Sequence, residues 1–183
     1  IPYKETVIPF LNKLSKNATT IGAVNTIKIS KSGKTKGYNT DYYGFKKSLE
    51  PLLKKQHKKA LILGTGGASK AVAFALKKLK IEYDFVSREP NEYQFSYAEL
   101  NHEIFDEYTI IINTTPIGTT PNVDQAPELD YTLFTKQHIA YDLIYNPEET
   151  LFLKLARKNG AQTKNGLEML ELQAEKAWKI WNE

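Results

Sequence analysis

Cysteine is absent from the 183 residues of this chain. The absence excludes a disulfide scaffold, a thiolate metal site and a cysteine nucleophile, and it agrees with a reducing compartment. We therefore expect a cytoplasmic protein. Three histidines are present, His57, His102 and His138, and none has a second histidine at metal-ligand spacing. We accordingly predict no metal site.

Long apolar runs are also absent. The longest uninterrupted one, Ala71 to Leu76, has six residues, whereas a helix that crosses a bilayer needs about 20. We therefore predict no membrane partner. The chain starts with Ile1-Pro2 rather than with Met or a charged segment followed by an apolar one. This start predicts no signal peptide and suggests a fragment of a longer protein.

Charge is distributed unevenly along the chain. Residues 1–59 contain 13 lysines and three acidic residues, whereas residues 60–183 contain 12 basic and 18 acidic residues. The basic segment lacks the arginines interleaved with aromatic residues that are typical of base recognition. We interpret it as a solvated lysine surface that can attract an anionic ligand, and we predict no nucleic-acid partner.

The first part of the chain has the pattern of a small mixed unit. Residues 20–29 resemble a strand, the turn residues 30–33 follow, and residues 34–39 complete a predicted hairpin. From Asp41 to Leu53 the apolar positions recur at helical spacing, and Asp41 lies where an N-cap would. The pattern predicts a helix that begins at Asp41.

The remainder alternates between strands and helices, which indicates a parallel sheet. The predicted strands are 60–63, 83–87, 109–113 and 139–143, and the predicted helices are 67–79, 148–158 and 166–182. The last helix has an apolar stripe that we expect to pack in the core: Leu167, Leu170, Ala174, Ala177, Trp178 and Trp181.

A glycine-rich turn joins the first of these strands to the first helix. Gly64 permits a tight turn, Gly66 lets the backbone approach a pyrophosphate, and the small Ser69 permits close packing of helix and strand. The N-terminus of the helix would supply free N–H groups to the phosphates. The context predicts dinucleotide binding.

The end of the second strand bears on the choice of cofactor. An NAD-binding protein places an acidic residue there for the ribose, about 20 residues after the glycine turn, whereas this chain has Ser87-Arg88. A hydroxyl and a guanidinium suit a 2′-phosphate. NADP is therefore favoured over NAD, although the following Glu89 weakens the inference.

Three polar clusters lie before the glycine turn, at residues 2–5, 22–26 and 37–41. Taken singly, Lys4 is read as a surface lysine, Asn25 as a strand-edge residue and Asp41 as a helix cap. Together with four later segments they resemble the shikimate dehydrogenase family. The seven matching segments are PYKE (2–5), IGAVNT (21–26), GYNTD (37–41) with Gly44-Phe45, GTGGAS (64–69), NTTPIG (113–118), DLIYNP (142–147) and GLEMLELQA (166–174).

The resemblance implies an α/β enzyme that interconverts shikimate and 3-dehydroshikimate with NADP in aromatic amino-acid synthesis. Carried over by position, Lys4 and Asp41 would be the catalytic pair. Asn25, Tyr145 and Gln173, together with Asp41, would contact the substrate. The cofactor would be lined by Gly64, Thr65, Gly66, Gly67, Ala68, Ser87, Arg88, Leu143 and Gly166. A homodimer is compatible with the resemblance.

The resemblance also predicts the domain organisation. Residues 1–45 would be the C-terminal part of an α/β substrate-binding domain, 46–163 a Rossmann-like NADP-binding domain with a parallel sheet, and 164–183 a helix that returns to the substrate domain. The family's first substrate-binding segment, with its S-x-S motif, would precede Ile1. We therefore expect this chain alone to bind NADP and to turn over poorly.

Two departures from the family pattern concern the cofactor. Ser87-Arg88-Glu89 replaces the usual Asn-Arg-Thr, and Thr119 stands where many members have Met. Two alternatives therefore stay open: a related dehydrogenase that uses quinate and NAD, and a non-catalytic nucleotide-binding module. The first would have an acidic residue in place of Ser87-Arg88, and the second would lack the pair of Lys4 and Asp41.

Overall fold

A computed structural model describes residues 3–183, which form two sheets connected by helices. The first sheet and its helices comprise β1 (Lys13–Leu14), α1 (Lys16–Ile21), β2 (Thr26–Ile29), β3 (Thr35–Tyr38) and α2 (Asp41–Leu49). Its strand order is β1-β3-β2, with β1 parallel and β2 antiparallel to β3. The predicted hairpin is confirmed as β2 and β3, in which Thr26 faces Tyr38.

The structure corrects the start of this hairpin. Residues 20 and 21, which we predicted to be strand, form the end of α1. That helix begins because the Ser15 side chain accepts a hydrogen bond from the Ala18 N–H, and it ends at Gly22, whose φ of 73° is left-handed. The local cap and the glycine therefore override the apolar, β-branched pattern of the segment.

The predicted N-cap of α2 is also wrong. Thr40 occupies the N-cap position, and Asp41 is the first residue of the helix. The carboxylate of Asp41 is thus free of the capping role and points to other partners. The α-helix ends at Leu49, because Pro51 has no N–H that could continue its hydrogen bonds. A single 3-10 turn, Glu50–Leu52, follows and ends one residue before the predicted boundary at Leu53.

The second sheet has six strands, all parallel, in the order β6-β5-β4-β7-β8-β9. Its elements are β4 (Lys59–Leu63), α3 (Gly67–Leu79), β5 (Glu82–Ser87), β6 (Gln94–Ser96), α4 (His102–Glu107), β7 (Ile110–Asn113), β8 (Ile139–Asp142), α5 (Leu151–Lys158), β9 (Gln162–Lys164) and α6 (Leu167–Asn182). The predicted α/β class with a Rossmann-like parallel sheet is confirmed. Successive strands are added outward on one side from β4 and on the other side from β7. Folds of this kind bind ligands at the point between these two strands, where the strand order reverses.

Four predicted strands and three predicted helices are present, with small shifts at their ends. The helix predicted over 148–158 begins at Leu151, because Thr150 caps it by accepting a hydrogen bond from the Leu153 N–H. Three further elements, β6, α4 and β9, were not predicted, since each has six residues or fewer and short segments have weak periodicity.

The predicted core stripe of α6 is confirmed at Ala177, which is buried, and is wrong at most of its other positions. Leu167, Trp178 and Trp181 are among the exposed large apolar residues, at 43%, 66% and 53%. The helix also buries Met169 and Ile180, and Met169 lies against Gly44 of α2. The amphipathic pattern of this helix has apolar residues on more than one face, so that tertiary packing decides which face is covered.

Both faces of the six-stranded sheet are covered by apolar side chains. One face packs against α2, α3 and α6 around Phe45, Val72 and Tyr141, and the other packs against α4 and α5 around Phe105 and Phe152. This three-layer arrangement is usual for parallel sheets. Among residues 3–183, no helix combines the length and the apolar character that a membrane span requires.

Candidate active site

Lys4 and Asp41 form a close ion pair. The Lys4 Nζ donates to the Asp41 Oδ2 at 2.5 Å, and the Asp41 side chain is only 6% exposed. Asp41 is held by the first turn of α2, while the Lys4 backbone carbonyl accepts a hydrogen bond of 2.7 Å from the Val24 N–H. Two segments that are 37 residues apart in sequence are thereby fixed beside each other.

Asn25 supplies a second hydrogen-bond donor to the Asp41 carboxylate. Its Nδ2 lies 2.8 Å from the Asp41 Oδ1, and its Oδ1 accepts from the Thr40 N–H at 2.8 Å. The side chain therefore bridges the start of β2 and the start of α2. Both Asp41 oxygens therefore have a hydrogen-bond donor, one cationic and one neutral.

Gln173 reaches the same cluster from α6. The Asn25 Nδ2 also lies 3.2 Å from the Gln173 Oε1, across 148 residues of sequence. The last helix thus contacts the start of β2 in the first sheet. Four of the five predicted catalytic and substrate-binding residues therefore lie in one hydrogen-bonded cluster: Lys4, Asn25, Asp41 and Gln173.

Tyr145 is the exception. It lies in the loop after β8, is 48% exposed, and takes part in no side-chain hydrogen bond among residues 3–183. The structure does not join it to the cluster of Lys4 and Asp41. Its predicted role as a substrate contact stays a prediction.

A small cavity of about 230 Å³ opens beside this cluster. Its lining combines the polar side chains of Lys4 and Asn25 with apolar ones. The full lining is Tyr3, Lys4, Val7, Val24, Asn25 and Ile27. An ammonium group and a carboxamide facing an apolar wall can bind a small, oxygen-rich ring.

The glycine turn has the geometry that a phosphate cradle requires. Gly64 has a φ of 96°, and a Cβ there would lie 2.8 Å from the Thr115 Cγ2. A Cβ on Gly66 would meet no atom within 4 Å, so this glycine is not needed for packing. Gly66 is also the N-cap of α3, where free N–H groups attract anions.

A second cavity, of about 520 Å³, extends from this turn along the carboxyl ends of the strands. Its lining includes five of the predicted cofactor residues, Gly64, Thr65, Gly66, Ser87 and Arg88. Gly67 and Ala68 lie just beyond it, in the first turn of α3.

Leu143 and Gly166, also predicted to contact the cofactor, are not on the lining of this cavity within the part of the chain that the structure describes. They pack against each other instead, since a Cβ on Gly166 would lie 2.0 Å from the Leu143 carbonyl oxygen. This close backbone approach gives Gly166 a packing reason to be glycine. Their contact with a cofactor stays a prediction.

The remaining lining residues were not assigned from sequence: Val86, Glu89, Tyr97, Thr114, Thr115, Pro116 and Ile117. The segment 114–117 belongs to a motif that the sequence shows, and the position of β7 beside β4 explains why it borders the glycine turn. Tyr97 has no such signal. It follows β6, whose pairing of Ser96 with Ser87 brings it beside Arg88.

Arg88 affects the electrostatics of this end of the cavity. Burial raises the pKa of the Tyr97 hydroxyl, and the charge of Arg88 acts in the opposite direction. The Ser87 Oγ, which we expected to bind a phosphate, is within 3.2 Å of both the backbone N and the backbone O of Glu89. The Arg88 guanidinium is therefore the cationic group on the lining of this cavity.

An ion pair joins the segment that contains Lys4 to α3. Glu5, which follows Lys4, accepts a hydrogen bond of 2.8 Å from the Lys70 Nζ in α3. The same carboxylate lies 3.6 Å from the position of a Cβ on Gly67. Because both partners are about half exposed, the pair adds little stability. It nevertheless shows that the Lys4 segment lies beside the glycine turn.

No cluster of three metal-ligating side chains occurs in the part of the chain from Tyr3 to Glu183.

Comparison with known proteins points to one family. The model for the "Shikimate dehydrogenase substrate binding domain" matches residues 1–27. The shikimate dehydrogenase (NADP(+)) of Caldanaerobacter subterraneus subsp. tengcongensis is 41% identical over 197 residues, which cover 99% of this chain and 70% of the relative. The chain therefore spans a little over two thirds of that relative's length.

Solved structures agree. The shikimate dehydrogenase of Aquifex aeolicus has a TM-score of 0.86 at 38% identity, covering 100% of this chain and 69% of that one. The shikimate 5-dehydrogenase of Thermus thermophilus, solved in complex with NADP(H) and shikimate, has a TM-score of 0.85 at 33% identity, covering 99% and 70%. The chain belongs to the shikimate dehydrogenase family.

Proposed function

We propose that this chain carries the active site of an NADP-dependent shikimate dehydrogenase, which reversibly reduces 3-dehydroshikimate to shikimate in the shikimate pathway. The observation that carries the proposal is the ion pair of Lys4 and Asp41, 2.5 Å apart, on the segment that reaches the glycine turn through Glu5 and Lys70. A proton-transferring pair and a nucleotide cradle are thus adjacent, as a dehydrogenase requires.

The residues that would hold the cofactor fit NADP. Gly64, Thr65 and Gly66 line the cavity, Gly66 leaves open space at the N-terminus of α3 for a pyrophosphate, and Arg88 offers bidentate donors to a 2′-phosphate. We propose that Gly67, Ala68, Ser87, Leu143 and Gly166 complete the site. When bound, the nicotinamide supplies or accepts the hydride.

Lys4 would carry the proton. In the reducing direction its ammonium group donates a proton to the oxygen of the ketone and its positive charge stabilises the developing alkoxide. In the reverse direction the neutral amine removes the proton of the hydroxyl. Asp41 orients Lys4 through the 2.5 Å hydrogen bond and is itself held by Asn25. The kinetics of Asp41 variants decide whether Asp41 also takes part in the proton transfer.

Substrate binding is assigned to Asn25, Asp41, Tyr145 and Gln173. Asn25 and Gln173 present carboxamides that can hydrogen-bond ring hydroxyls, and both already lie in the cluster around Asp41. We propose that Tyr145 approaches the substrate from the loop after β8. Substitutions at Asn25, Tyr145 and Gln173 should chiefly raise KM.

The test of the proposed function is NADPH absorbance with 3-dehydroshikimate and with 3-dehydroquinate, measured on the full-length protein. Consumption of NADPH with 3-dehydroshikimate alone is the expected result. Consumption with neither substrate would refute the proposal and favour the non-catalytic nucleotide-binding module, against which the Lys4 and Asp41 pair argues.

A second candidate, a quinate and shikimate dehydrogenase that uses NAD, is favoured by one observation. Glu89 lines the same end of the cavity as Arg88, and an acidic residue there can bind the ribose hydroxyls of NAD. Comparing the affinities for NADPH and NADH on one preparation separates the two, since tighter NADH binding would select the second candidate.

The domain division 1–45, 46–163 and 164–183 is part of the proposal and is supported by the two sheets and by the return of α6. We further propose a cytoplasmic location, supported by the lack of cysteine, and a homodimer, which sedimentation would test. The proposed partners do not include nucleic acid or a membrane surface.

A further inference from the structure

We propose that Asp142 is a positioning residue for the nicotinamide half of the cofactor site. It would act through hydrogen bonds that hold the loop after β7 and the loop after β8 in fixed positions relative to each other. The inference rests on the proposed function only in assuming that this cavity binds a dinucleotide. It concerns a buried carboxylate that has no part in the proton transfer described above.

Asp142 is completely buried at the end of β8 and accepts three hydrogen bonds. The Thr150 Oγ1 donates to its Oδ2 at 2.6 Å. The Ile144 N–H and the Asn113 Nδ2 donate to its Oδ1 at 3.0 and 3.1 Å. These donors come from the loop after β8, from the N-cap of α5 and from the neighbouring strand β7.

Asn113 extends the network into the loop after β7. Its Oδ1 accepts from the Thr115 N–H at 3.0 Å and from the Thr115 Oγ1 at 2.7 Å, and its Nδ2 also lies 3.4 Å from the Ile117 carbonyl oxygen. The Thr114 Oγ1 donates to the Leu63 carbonyl at 2.7 Å, just before the glycine turn. Residues 114–117 line the cavity, so the network sets the shape of its wall.

The strand order indicates which part of the cofactor this wall faces. Arg88, at the end of β5, would bind the 2′-phosphate, and the glycine turn after β4 would bind the pyrophosphate. The next strands in the sheet are β7 and β8. Since strands are about 4.8 Å apart, a dinucleotide laid along this edge places its nicotinamide near the loops after β7 and β8.

A carboxylate suits this position better than other side chains of its size. Three donors converge on it, and a buried charge is tolerated only when its hydrogen bonds are satisfied. An asparagine at position 142 keeps an oxygen that can accept hydrogen bonds from Asn113 and Ile144. Its amide nitrogen can donate to the Thr150 hydroxyl once that hydroxyl has rotated to act as an acceptor. Alanine leaves the Ile144 N–H and the Thr150 hydroxyl without this acceptor, and it leaves the Asn113 amide with the Ile117 carbonyl oxygen at 3.4 Å.

The test compares two ligands that share one half of the site. NADP⁺ has the nicotinamide, whereas 2′,5′-ADP lacks it and retains the 2′-phosphate. We expect Asp142→Ala to weaken NADP⁺ binding by about 10-fold, the order that loss of buried hydrogen bonds gives, and to change 2′,5′-ADP binding by less than about two-fold. Both affinities are measured by calorimetry, which needs no turnover.

Two further variants make the result decisive. Asp142→Asn should restore most of the NADP⁺ affinity, and it serves if the alanine variant does not fold. Asp84→Asn is the control, because it removes a different carboxylate, one on β5 that accepts a hydrogen bond of 2.5 Å from the Tyr108 hydroxyl. It should leave the ratio of the NADP⁺ and 2′,5′-ADP affinities unchanged.

The inference is overturned if Asp142→Ala weakens both ligands equally or neither, or if Asp142→Asn and Asp142→Ala are equally impaired. If the unmodified chain binds neither ligand, the proposed function fails first and the inference falls with it. Binding of both ligands without turnover would contradict the dehydrogenase activity and leave the test of Asp142 intact.

Discussion

At the residue scale, the central feature is a buried carboxylate with two donors. Asp41 is 4% exposed and is satisfied by Lys4 and Asn25. Truncating one partner of such a pair leaves an uncompensated charge, so that each of the three residues supports the others. We propose that the proton transfer falls on Lys4, because its Nζ is the cationic donor that pairs with Asp41 among the described residues.

The first prediction concerns Lys4→Ala in the full-length protein. It should lower kcat by about 100-fold or more, as loss of a general acid or base does, with a smaller change in KM. Steady-state kinetics with NADP⁺ and shikimate measure both values. The exposed Lys13→Ala controls for the loss of one positive charge. Near-normal turnover would remove Lys4 from the mechanism.

The second prediction concerns the pH dependence contributed by Asp142. Burial raises the pKa of this carboxyl to about 6 from the ordinary value of 3.8, against the opposing effect of its hydrogen bonds. The folded state then binds more protons than the unfolded state between these values. The stability that Asp142 contributes is fully present below pH 3.8 and is lost as the pH rises to about 6.

Asp142→Asn removes this titration. We therefore expect the free energy of unfolding of the variant, relative to that of the parent, to be greater at pH 7 than at pH 4.5. Urea unfolding at the two pH values measures the difference. The exposed Asp124→Asn controls for the change from carboxyl to amide. A relative stability that does not change with pH would show that the carboxyl titrates normally.

At the element scale, the turn between β4 and α3 has two glycines with different reasons for being there. Gly64 is required by the fold, since its φ is 96° and its surroundings are crowded. Gly66 has a φ of −74° and open space around the position of a Cβ. The fold alone gives no reason for glycine at position 66, and a phosphate lying against the backbone does.

The third prediction follows from this contrast. Gly66→Ala should leave the melting temperature nearly unchanged and weaken NADP⁺ binding by about 10-fold or more, because the methyl group takes the space of the pyrophosphate. Gly64→Ala should lower the free energy of unfolding by about 1 kcal/mol or more, from backbone strain. Thermal melts and calorimetry measure the two effects, and parent-like NADP⁺ affinity in Gly66→Ala would argue against the proposed pyrophosphate site.

At the scale of the whole molecule, α2 and α6 join the two sheets. The Ser48 Oγ and the Tyr141 hydroxyl, 2.6 Å apart, connect α2 to β8, and the Trp181 Nε1 donates to the Ile27 carbonyl of β2 at 2.9 Å. Gly44 lets the two helices approach, since a Cβ there would lie 2.3 Å from the Met169 carbonyl oxygen. The position of Gln173 depends on this approach.

The fourth prediction is that Gly44→Ala impairs the substrate site more than the cofactor site. The added methyl group pushes α6 away from α2 and so moves Gln173 from Asn25. We expect a higher KM for shikimate, a lower free energy of unfolding and little change in NADP⁺ affinity. Lys47→Ala, on the exposed side of the same helix, is the control. A parent-like KM would show that α6 tolerates the displacement.

The sequence by itself determined those features that depend on neighbours along the chain. Apolar runs bounded by turn residues located the four long strands of the parallel sheet, and helical periodicity with a glycine start located α3 within its observed bounds. The glycine turn and Ser87-Arg88 predicted a nucleotide site, because a strand, a turn and a helix in that order can be recognised locally, and these residues line one cavity.

Only the tertiary structure decided what lies together across the chain. Asn25 meets Gln173 over 148 residues, and Tyr97 borders Arg88 through the pairing of β5 with β6. Of the apolar stripe predicted to be buried in α6, Ala177 is buried whereas Leu167, Trp178 and Trp181 are exposed, and the helix buries Met169 and Ile180 in addition. Periodicity shows that a helix has an apolar face, but the layers that pack against the helix determine which face loses its contact with water.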